Sequence, residues 1–331
     1  MTARELAGDD VANALAAEIT RATPERASLI LVAIADRNET AIPSAVLEVA
    51  KSGPKQVRVA AISVVGRLGN ESSLPVLLEI ASEGDAEVAL AAKTALAGLS
   101  GKKVDAEIAA RLSKTEDKSL AVLIELAGQR RVEATPALVK ALDHSNAAVR
   151  GAAVTALGET VGPKDLSVLI SQVTTPKNSI DATVALKALR AASVRMPDRE
   201  ACAAELAKAM EGTPVETQAK LLEILGAVGG SKALSTIAAA VSGSNEQLQD
   251  AGSRLLGEWM NADAAPVLLD LAKNPSSDKY KVRLLRGYIR IARQFQMPDD
   301  QRAEMCDKAL AAASRPEEQK LVLAVLERYP S

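Results

Sequence analysis

The hydrophobic pattern of this chain is clearest in one ten-residue segment, Val149–Gly158, with the sequence VRGAAVTALG. Its apolar residues recur at i, i+3, i+4, i+7 and i+8, which is the spacing of one face of an α-helix. They are Val149, Ala152, Ala153, Ala156 and Leu157. The pattern predicts an amphipathic helix that must bury this face against neighbouring helices.

Copies of this segment return at intervals of 30 to 38 residues along the chain. The positions predicted to be equivalent to Gly158 are Asp36, Gly66, Ala97, Gly128, Arg190, Gly226, Gly257, Arg290 and Arg328. A second apolar segment lies between successive copies, and in four repeats its first turn carries a proline, where a missing N–H costs nothing. Two helices in roughly 32 residues leave no room for strands, so the sequence predicts an all-α solenoid.

The repeat predicts a single domain over residues 1–331, because the core of a repeat array grows along one dimension. We interpret residues 1–23 as an N-terminal cap helix and residues 24–331 as the repeats. The composition, 48% hydrophobic and only 2% aromatic, is typical of closely packed helices. Near the end, Leu321–Leu326 is apolar at every position, and such a helix needs cover on both sides. We therefore expect that the natural chain continues beyond residue 331, or that this end docks on something.

The repeated unit resembles the HEAT repeat, in particular the short HEAT-like class of the phycobilin lyases. The segment Leu142–Gly162, LDHSNAAVRGAAVTALGETVG, carries the resemblance most clearly. It implies a right-handed α-solenoid of about ten HEAT-like helix pairs. In that family the helix that opens with Val-Arg, here Val57-Arg58 and Val149-Arg150, lines the concave surface.

Charge and hydropathy favour some classes of partner and some cellular compartments over others. The chain has 40 Lys and Arg against 42 Asp and Glu, a formal net charge of -2, whereas proteins that grip nucleic acid usually carry a basic surplus. No signal peptide is visible at the start, and no apolar span of about 18 residues occurs. We expect a cytoplasmic chain with no membrane contact, or an exported one if it is a fragment of a larger secreted protein.

The residue inventory opposes catalysis. His144 is the only histidine, and it lies in a predicted turn. The cysteines, Cys202 and Cys306, lie in predicted helices, where a small apolar residue would serve equally well. HExxH, CxxC and P-loop motifs do not occur in the sequence. Iron-dependent deoxyhypusine hydroxylases, which share this type of repeat, need several His-Glu pairs, so the sequence predicts no enzyme, no catalytic residue, no metal and no cofactor.

One segment, residues 279–293, departs from the pattern with a run of basic residues spaced 4, 3, 4 and 3. We call this set the basic stripe; its members are Lys279, Arg283, Arg286, Arg290 and Arg293. On a helix they fall within about 40° of one line. Arg190 occupies the column predicted for Arg290, so we add it to the candidate partner-binding residues. All five aromatic residues of the chain also lie between Trp259 and Tyr329.

Two interpretations of the basic stripe remain open. It is either a solvated face whose cations pair with acids of the next helix, or a contact surface for an acidic partner. The acids in question are Asp299, Asp300, Glu304 and Asp307. Arginine suits the second interpretation because its planar fork binds carboxylate or phosphate through two hydrogen bonds.

The leading hypothesis is a non-enzymatic scaffold that binds a protein partner or a neighbouring domain on its concave face. It predicts that charge reversal at Arg286 and Arg290 abolishes partner capture and leaves folding intact. The alternatives are nucleic-acid or other polyanion binding through the basic stripe, a bilin lyase, and an accessory array of a sugar-acting enzyme. The last follows from a resemblance of residues 281–306, KVRLLRGYIRIARQFQMPDDQRAEMC, to arrays adjoining 3-keto-disaccharide hydrolase type domains in bacterial proteins.

Overall fold

The computed structural model describes residues 9–37, 42–115, 117–176 and 182–329. These residues form twenty α-helices and a few short 3-10 turns, and no strand occurs among them. The predicted all-α solenoid is confirmed. Within the same residues, no helix is both long enough and apolar enough to cross a bilayer.

The helices fall into two compact units, the first built from residues 1–161 with 178–188 and the second from residues 162–177 with 189–331. The helices of the first unit are α1 (Asp9–Ile19), α2 (Pro24–Ala35), α3 (Ser44–Ser52), α4 (Lys55–Leu68), α5 (Leu74–Ala81), α6 (Ala86–Gly98), α7 (Lys102–Leu112), α8 (Asp117–Gln129), α9 (Thr135–Ala141) and α10 (Ala147–Thr160). Those that follow are α11 (Leu166–Thr174), α12 (Ala182–Arg195), α13 (Arg199–Met210), α14 (Val215–Val228), α15 (Gly230–Ser242), α16 (Glu246–Gly257), α17 (Ala265–Lys273), α18 (Asp278–Gln294), α19 (Asp299–Ala312) and α20 (Pro316–Arg328). The start of α12 belongs to the first unit and its remainder to the second.

The even-numbered helices carry the Val149–Gly158 motif, and we call them the first helices of their repeats. In the first unit α2 packs on α4, α4 on α6 and α8 on α10; in the second, α14 packs on α16, α16 on α18 and α18 on α20. The apolar face predicted for α10 is buried, including Val149 and Leu157 at its two ends. Each first helix therefore buries its apolar face against helices of its own and neighbouring repeats, as the periodicity predicts.

Close backbone contacts between consecutive first helices explain several repeat glycines. In the first three pairs a Cβ atom added to the first residue would lie within 3 Å of the second residue. In the last pair a Cβ atom added to the second residue would lie within 3 Å of the first. The pairs are Gly66 with Ala95, Gly128 with Ala156, Gly158 with Ala188, and Gly257 with Gly287. Glycine therefore lets these helices approach more closely than any other residue would allow.

The same contacts correct the predicted register of α18. In the first three pairs, the second residue lies two positions before the predicted equivalent of Gly158. In α18 the contact differs, because a Cβ on Gly257 would meet Arg283 rather than Gly287. Arg290 instead makes the carbonyl contacts that Arg130, two positions after Gly128, makes in the first unit, so the prediction that Arg290 occupies the column of Gly158 is wrong. Each residue of offset turns a side chain by about 100° around a helix, which gives Arg290 a different environment from the column residues.

Short polar residues predict caps at Asp85 and within residues 143–146, and the S/T-x-x-E spacing predicts capping boxes that begin at Thr213 and Ser314. The Asn146 side chain accepts a hydrogen bond from the Ala148 N–H at 2.9 Å, and Asp85 accepts from the Glu87 and Val88 N–H groups, so both predicted caps are confirmed. The capping boxes predicted at Thr213 and Ser314 are wrong. There α14 and α20 begin after Pro214 and Arg315, neither of which caps the helix through a side chain.

The two ends of the array are asymmetric in burial. On α1 the buried residues are Ala12, Ala16 and Ile19. On α20 only Val322 and Val325 of the apolar run are buried, while Leu323 is 49% exposed. The single-domain boundary and the expected cover beyond residue 331 stay predictions.

Candidate binding site

The basic stripe lies on α18, a helix of 17 residues whose opposite side is packed into the core. Its buried side chains include Leu284, Tyr288 and Ile291. The N-terminus is capped by Ser277, whose hydroxyl accepts a hydrogen bond from the Tyr280 N–H at 3.4 Å. The side chains of the basic stripe lie at the surfaces that α18 shares with α16 and α20.

The first two cations of the basic stripe share one carboxylate on α16. Arg283 Nη1 lies 2.9 Å from Asp250 Oδ1, and Lys279 pairs with the same oxygen. Arg283 also donates a hydrogen bond to the Ser253 hydroxyl at 3.2 Å. Hydrogen bonds from Lys279 and then Arg283 hold the pKa of the Asp250 carboxyl below its usual value.

Arg286 pairs with Glu318 on α20. Its Nη2 and Nε atoms lie 2.8 Å and 2.9 Å from Glu318 Oε1. The Glu318 side chain is only 2% exposed, whereas that of Arg286 is 48% exposed. A buried carboxylate is costly without a partner, so Arg286, together with Arg315 at 3.7 Å from Glu318 Oε2, stabilises Glu318 and still presents part of its guanidinium to solvent.

These contacts correct the predicted pairing of the basic stripe. The expected acids on α19 do not pair with it among the described residues; Glu304, for example, pairs with Lys308 on its own helix. The actual partners, Asp250 and Glu318, lie on the first helices of the repeats before and after α18. The reason is that the basic stripe lies along the line of first helices, whereas α19 packs on another side of α18.

Arg290 makes a structural contact that the sequence did not predict. Its Nη2 donates hydrogen bonds to the carbonyls of Gly257 at 3.1 Å and Trp259 at 2.6 Å, at the C-terminus of α16. In the first unit, Arg130 donates to the carbonyls of Ala97 and Leu99 at 3.0 Å and 2.7 Å. Both arginines thus satisfy carbonyls that the end of a helix leaves without partners. Burial lowers the pKa of Arg290.

Like Lys279 and Arg286, both Arg293 and Arg190 are exposed. Among the residues that the structure describes, neither has a carboxylate within ion-pair distance. Arg293 lies close enough to Arg290 to lower its pKa further. Arg190 lines a separate pocket of about 310 Å³ with Glu223, Glu258 and Trp259.

A second pocket, of about 440 Å³, brings most of the basic stripe together between α16, α18 and α20. We call it the arginine pocket; the arginines that line it are Arg254, Arg283, Arg286, Arg290 and Arg293. Glu258 is the one acidic residue of its lining, and Ile289 and Leu321 contribute apolar atoms. Lys279 lies outside this lining and outside that of the Arg190 pocket. The structure therefore brings four of the six predicted residues together.

Sequence analysis missed Arg254, which lies on α16 and pairs with Glu223 at 2.9 Å. The available signal was its position three residues before Gly257, on a first helix next to α18. A search along one helix could not find it, because the arginine pocket is shared by three helices.

The histidine and the two cysteines have ordinary structural environments. The Nδ1 atom of His144 accepts a hydrogen bond from the Asn146 N–H at 3.1 Å, within a turn. Cys202 and Cys306 are buried free thiols, and burial raises the pKa of both, which opposes a nucleophilic role. Within the described ranges, no three His, Cys, Asp or Glu side chains are grouped to hold a metal ion.

Comparison with known proteins identifies the repeat. The family model for HEAT repeats matches residues 42–121 and 106–190. Residues 42–190 of this chain are therefore HEAT repeats, and we call the helical array that contains them the HEAT array. A fold of this type is typical of non-enzymatic scaffolds. The phycobilin-lyase and 3-keto-disaccharide hydrolase resemblances are not confirmed by any comparison, and no curated protein matches the sequence significantly.

Solved structures support the same fold for the HEAT array. A mutant of Kap121p is 12% identical with a TM-score of 0.53, over 98% of this chain and 42% of that chain. The karyopherin Kap121p bound to the SUMO protease Ulp1p is 13% identical with a TM-score of 0.52, over the same shares. Human deoxyhypusine hydroxylase in complex with glycerol is 18% identical over 78% of this chain and 96% of that chain, but its TM-score of 0.30 supports no argument. The HEAT array spans less than half the length of Kap121p, and at these identities the likeness shows the fold alone.

The shared carboxylate of the HEAT array gives a testable titration. We expect Asp250 to titrate below its unperturbed pKa of about 3.9 and Lys279→Gln to move this value upward, because Lys279 provides the largest stabilisation of the charged form. The lowered folded pKa means that the contribution to stability is present above the unfolded pKa and is lost as the pH falls through the folded pKa. Carboxyl ¹³C NMR titration of the wild type, Lys279→Gln and the exposed control Arg199→Gln measures this. An Asp250 pKa at or above 3.9 in the wild type contradicts it.

Proposed function

We propose that the HEAT array is a non-enzymatic scaffold that binds a protein partner or a neighbouring domain on the surface formed by its first helices. The resemblance makes that surface the concave one. The observation that carries the proposal is the arginine pocket, where Arg293 has no carboxylate partner in the described residues. A cation without a partner beside others that are already paired offers a site for an acid supplied from outside.

The six predicted residues divide into two roles in this proposal. Lys279, Arg283 and Arg290 are engaged within the fold, by Asp250 and by the carbonyls at the end of α16. Arg293 and Arg190 are exposed and available to a partner. Arg286 contributes to both roles, because a guanidinium has five N–H donors and its contact with Glu318 leaves some of them open.

The fold comparison supports a protein-binding scaffold as the class of function. Kap121p, whose fold the HEAT array shares, is a karyopherin that binds the SUMO protease Ulp1p. Carried to this chain, that binding supports a protein partner in general, without indicating which protein.

A polyanion is the less favoured partner. Three of the five cations of the basic stripe already contact carboxylates of the HEAT array, so few remain to replace the counterions of a nucleic-acid backbone. Elution from heparin at low salt is therefore expected, and retention with a steep salt dependence would favour a nucleic acid instead.

Partner capture by variants of the arginine pocket tests the proposal. Because Arg290 caps α16, its charge reversal would disturb the fold as well as the surface, so the predicted test at Arg286 and Arg290 is replaced by Arg293→Glu. We expect Arg293→Glu to reduce recovery of a specific partner from native cell extract by about tenfold or more, since a charge-assisted contact is lost and a repulsive one gained. Quantitative mass spectrometry compares wild type, Arg293→Glu and Arg199→Glu. Partners retained equally by all three would remove the arginine pocket from the proposal.

A further inference from the structure

We propose that the arginine pocket binds an extended acidic peptide segment, with a single carboxylate side chain on its arginines and an adjacent apolar side chain on its apolar lining. This inference rests on the proposed function and names the chemistry of the partner at that site.

The charge balance of the arginine pocket favours one incoming carboxylate. Three of its five arginines pair with carboxylates outside the lining: Arg254 with Glu223, Arg283 with Asp250, and Arg286 with Glu318, although Lys279 and Arg315 share the last two carboxylates. Arg290 donates hydrogen bonds to two carbonyl oxygens, and the Met260 sulfur lies 3.8 Å from its Nη1 atom. Arg293 has no acid partner in the described residues. Against these two cations the lining holds one acid, Glu258. The net charge of the arginine pocket is therefore positive, and an incoming carboxylate reduces it.

Glu258 also discriminates between kinds of anion. A carboxylate brings a single charge that can approach Arg293 and stay away from Glu258. A nucleic-acid strand brings a phosphate charge at every nucleotide, and Glu258 repels the additional charges. The arginine pocket is thus better suited to an isolated acid in a peptide than to a continuous polyanion.

The size and floor of the arginine pocket fit an extended segment. A volume of about 440 Å³ lies near the lower end of the range of roughly 300 to 1,000 Å³ for small-molecule sites, enough for a few side chains but not for a domain. At its floor Gly257 and Gly287 pack backbone to backbone, so that a Cβ on Gly287 would lie 2.9 Å from the Gly257 Cα. No side chain rises from either position, and Ile289 and Leu321 form the apolar part of the lining.

A pair of short peptides tests the inference with the full chain. The probes are the acetylated and amidated tetrapeptides Leu-Glu-Leu-Gly and Leu-Gln-Leu-Gly, which differ only in the charge of one side chain. Binding is followed by the ¹⁵N–¹H shifts of the arginine Nε groups and by the fluorescence of Trp259, the single tryptophan, whose carbonyl binds Arg290. We expect the acidic peptide to bind at least about tenfold more tightly than the neutral one, as a charge-assisted hydrogen bond predicts.

Matched variants localise the binding. Arg293→Gln is expected to weaken the acidic peptide by about tenfold, to the level of the neutral one, while Arg199→Gln on α13 leaves both unchanged. Arg293 is exposed, so its replacement leaves the fold intact, and an unchanged far-UV circular dichroism spectrum checks this.

Several outcomes would overturn the inference. They are equal affinity for the two peptides, no binding of the acidic peptide up to about 10 mM, which would mean a binding free energy weaker than about -3 kcal/mol, or an affinity insensitive to Arg293→Gln. Tighter binding of a thymidine oligonucleotide, lost in the same variant, would assign the arginine pocket to nucleic acid. If the peptides fail while partner capture still depends on Arg293, the scaffold stands and only the acidic-peptide chemistry is wrong.

Discussion

Replacing Gly158 with alanine is expected to lower the free energy of unfolding by about 1–3 kcal/mol, whereas the same replacement at Gly151 is expected to raise it by about 0.5–1 kcal/mol. Both glycines lie in α10, so helix propensity favours alanine equally at the two positions. The added methyl group at Gly158 would lie 2.8 Å from both the Cα and the Cβ of Ala188. Nothing lies within 4 Å of a methyl group added at Gly151.

The opposite signs make this a direct test of close helix contact. Neither α10 nor the neighbouring backbone can give way without disturbing the packing of the first unit, so the cost of the clash exceeds the gain in helix propensity. Urea unfolding followed by circular dichroism at 222 nm measures both variants against the wild type. A stabilised Gly158→Ala variant would show that the two helices are not in contact there.

Removing the Arg290 side chain is expected to lower the free energy of unfolding by about 1.5–3 kcal/mol, the usual range for hydrogen bonds from a charged group. Arg290→Ala leaves the carbonyls of Gly257 and Trp259 without their donor. Partial solvent access at Arg290 places the expected value toward the lower end of that range.

Two further variants separate this structural role from a general effect of charge. Arg293→Ala, one turn later on the same helix, should change stability by less than about 0.5 kcal/mol, because its side chain is exposed and contacts no carboxylate in the described residues. Arg130→Ala should cost at least as much as Arg290→Ala, since it removes the equivalent contact in the first unit and also an ion pair of Arg130 Nε with Asp105 at 2.6 Å. Thermal and urea unfolding compare the three. Equal effects of Arg290→Ala and Arg293→Ala would refute the assigned cap.

Most cations of the basic stripe have structural roles, which weakens the stripe as an indication of binding. A row of five cations on one helix indicates a binding surface only if the fold does not already neutralise them. Here three are paired and a fourth caps a helix, so the binding hypothesis rests mainly on Arg293 and on the half-exposed Arg286. The basic stripe therefore contains more cations than it offers to a partner.

The sequence by itself determined the fold class, the helical repeat and the caps at Asp85 and Asn146. An apolar face such as that of Val149–Gly158 has a period set by the helix alone, and a cap such as Asn146 acts on its own first turn. These are local properties, so residues a few positions apart suffice to predict them. The failed capping boxes at Thr213 and Ser314 show the limit, because a proline or arginine in the next position defines a different helix start.

Only the tertiary structure decided what each member of the basic stripe does. Asp250 and Glu318 lie about thirty residues from the cations they bind, on helices before and after α18, and the sequence favoured the acids of α19 instead. The contact of Gly257 with Gly287 sets the offset between α16 and α18, and that offset places Arg290 over the carbonyls of α16. Because one residue of offset rotates a side chain by about 100°, the packing between helices, which no pattern along one helix contains, separates the structural arginines from those open to a partner.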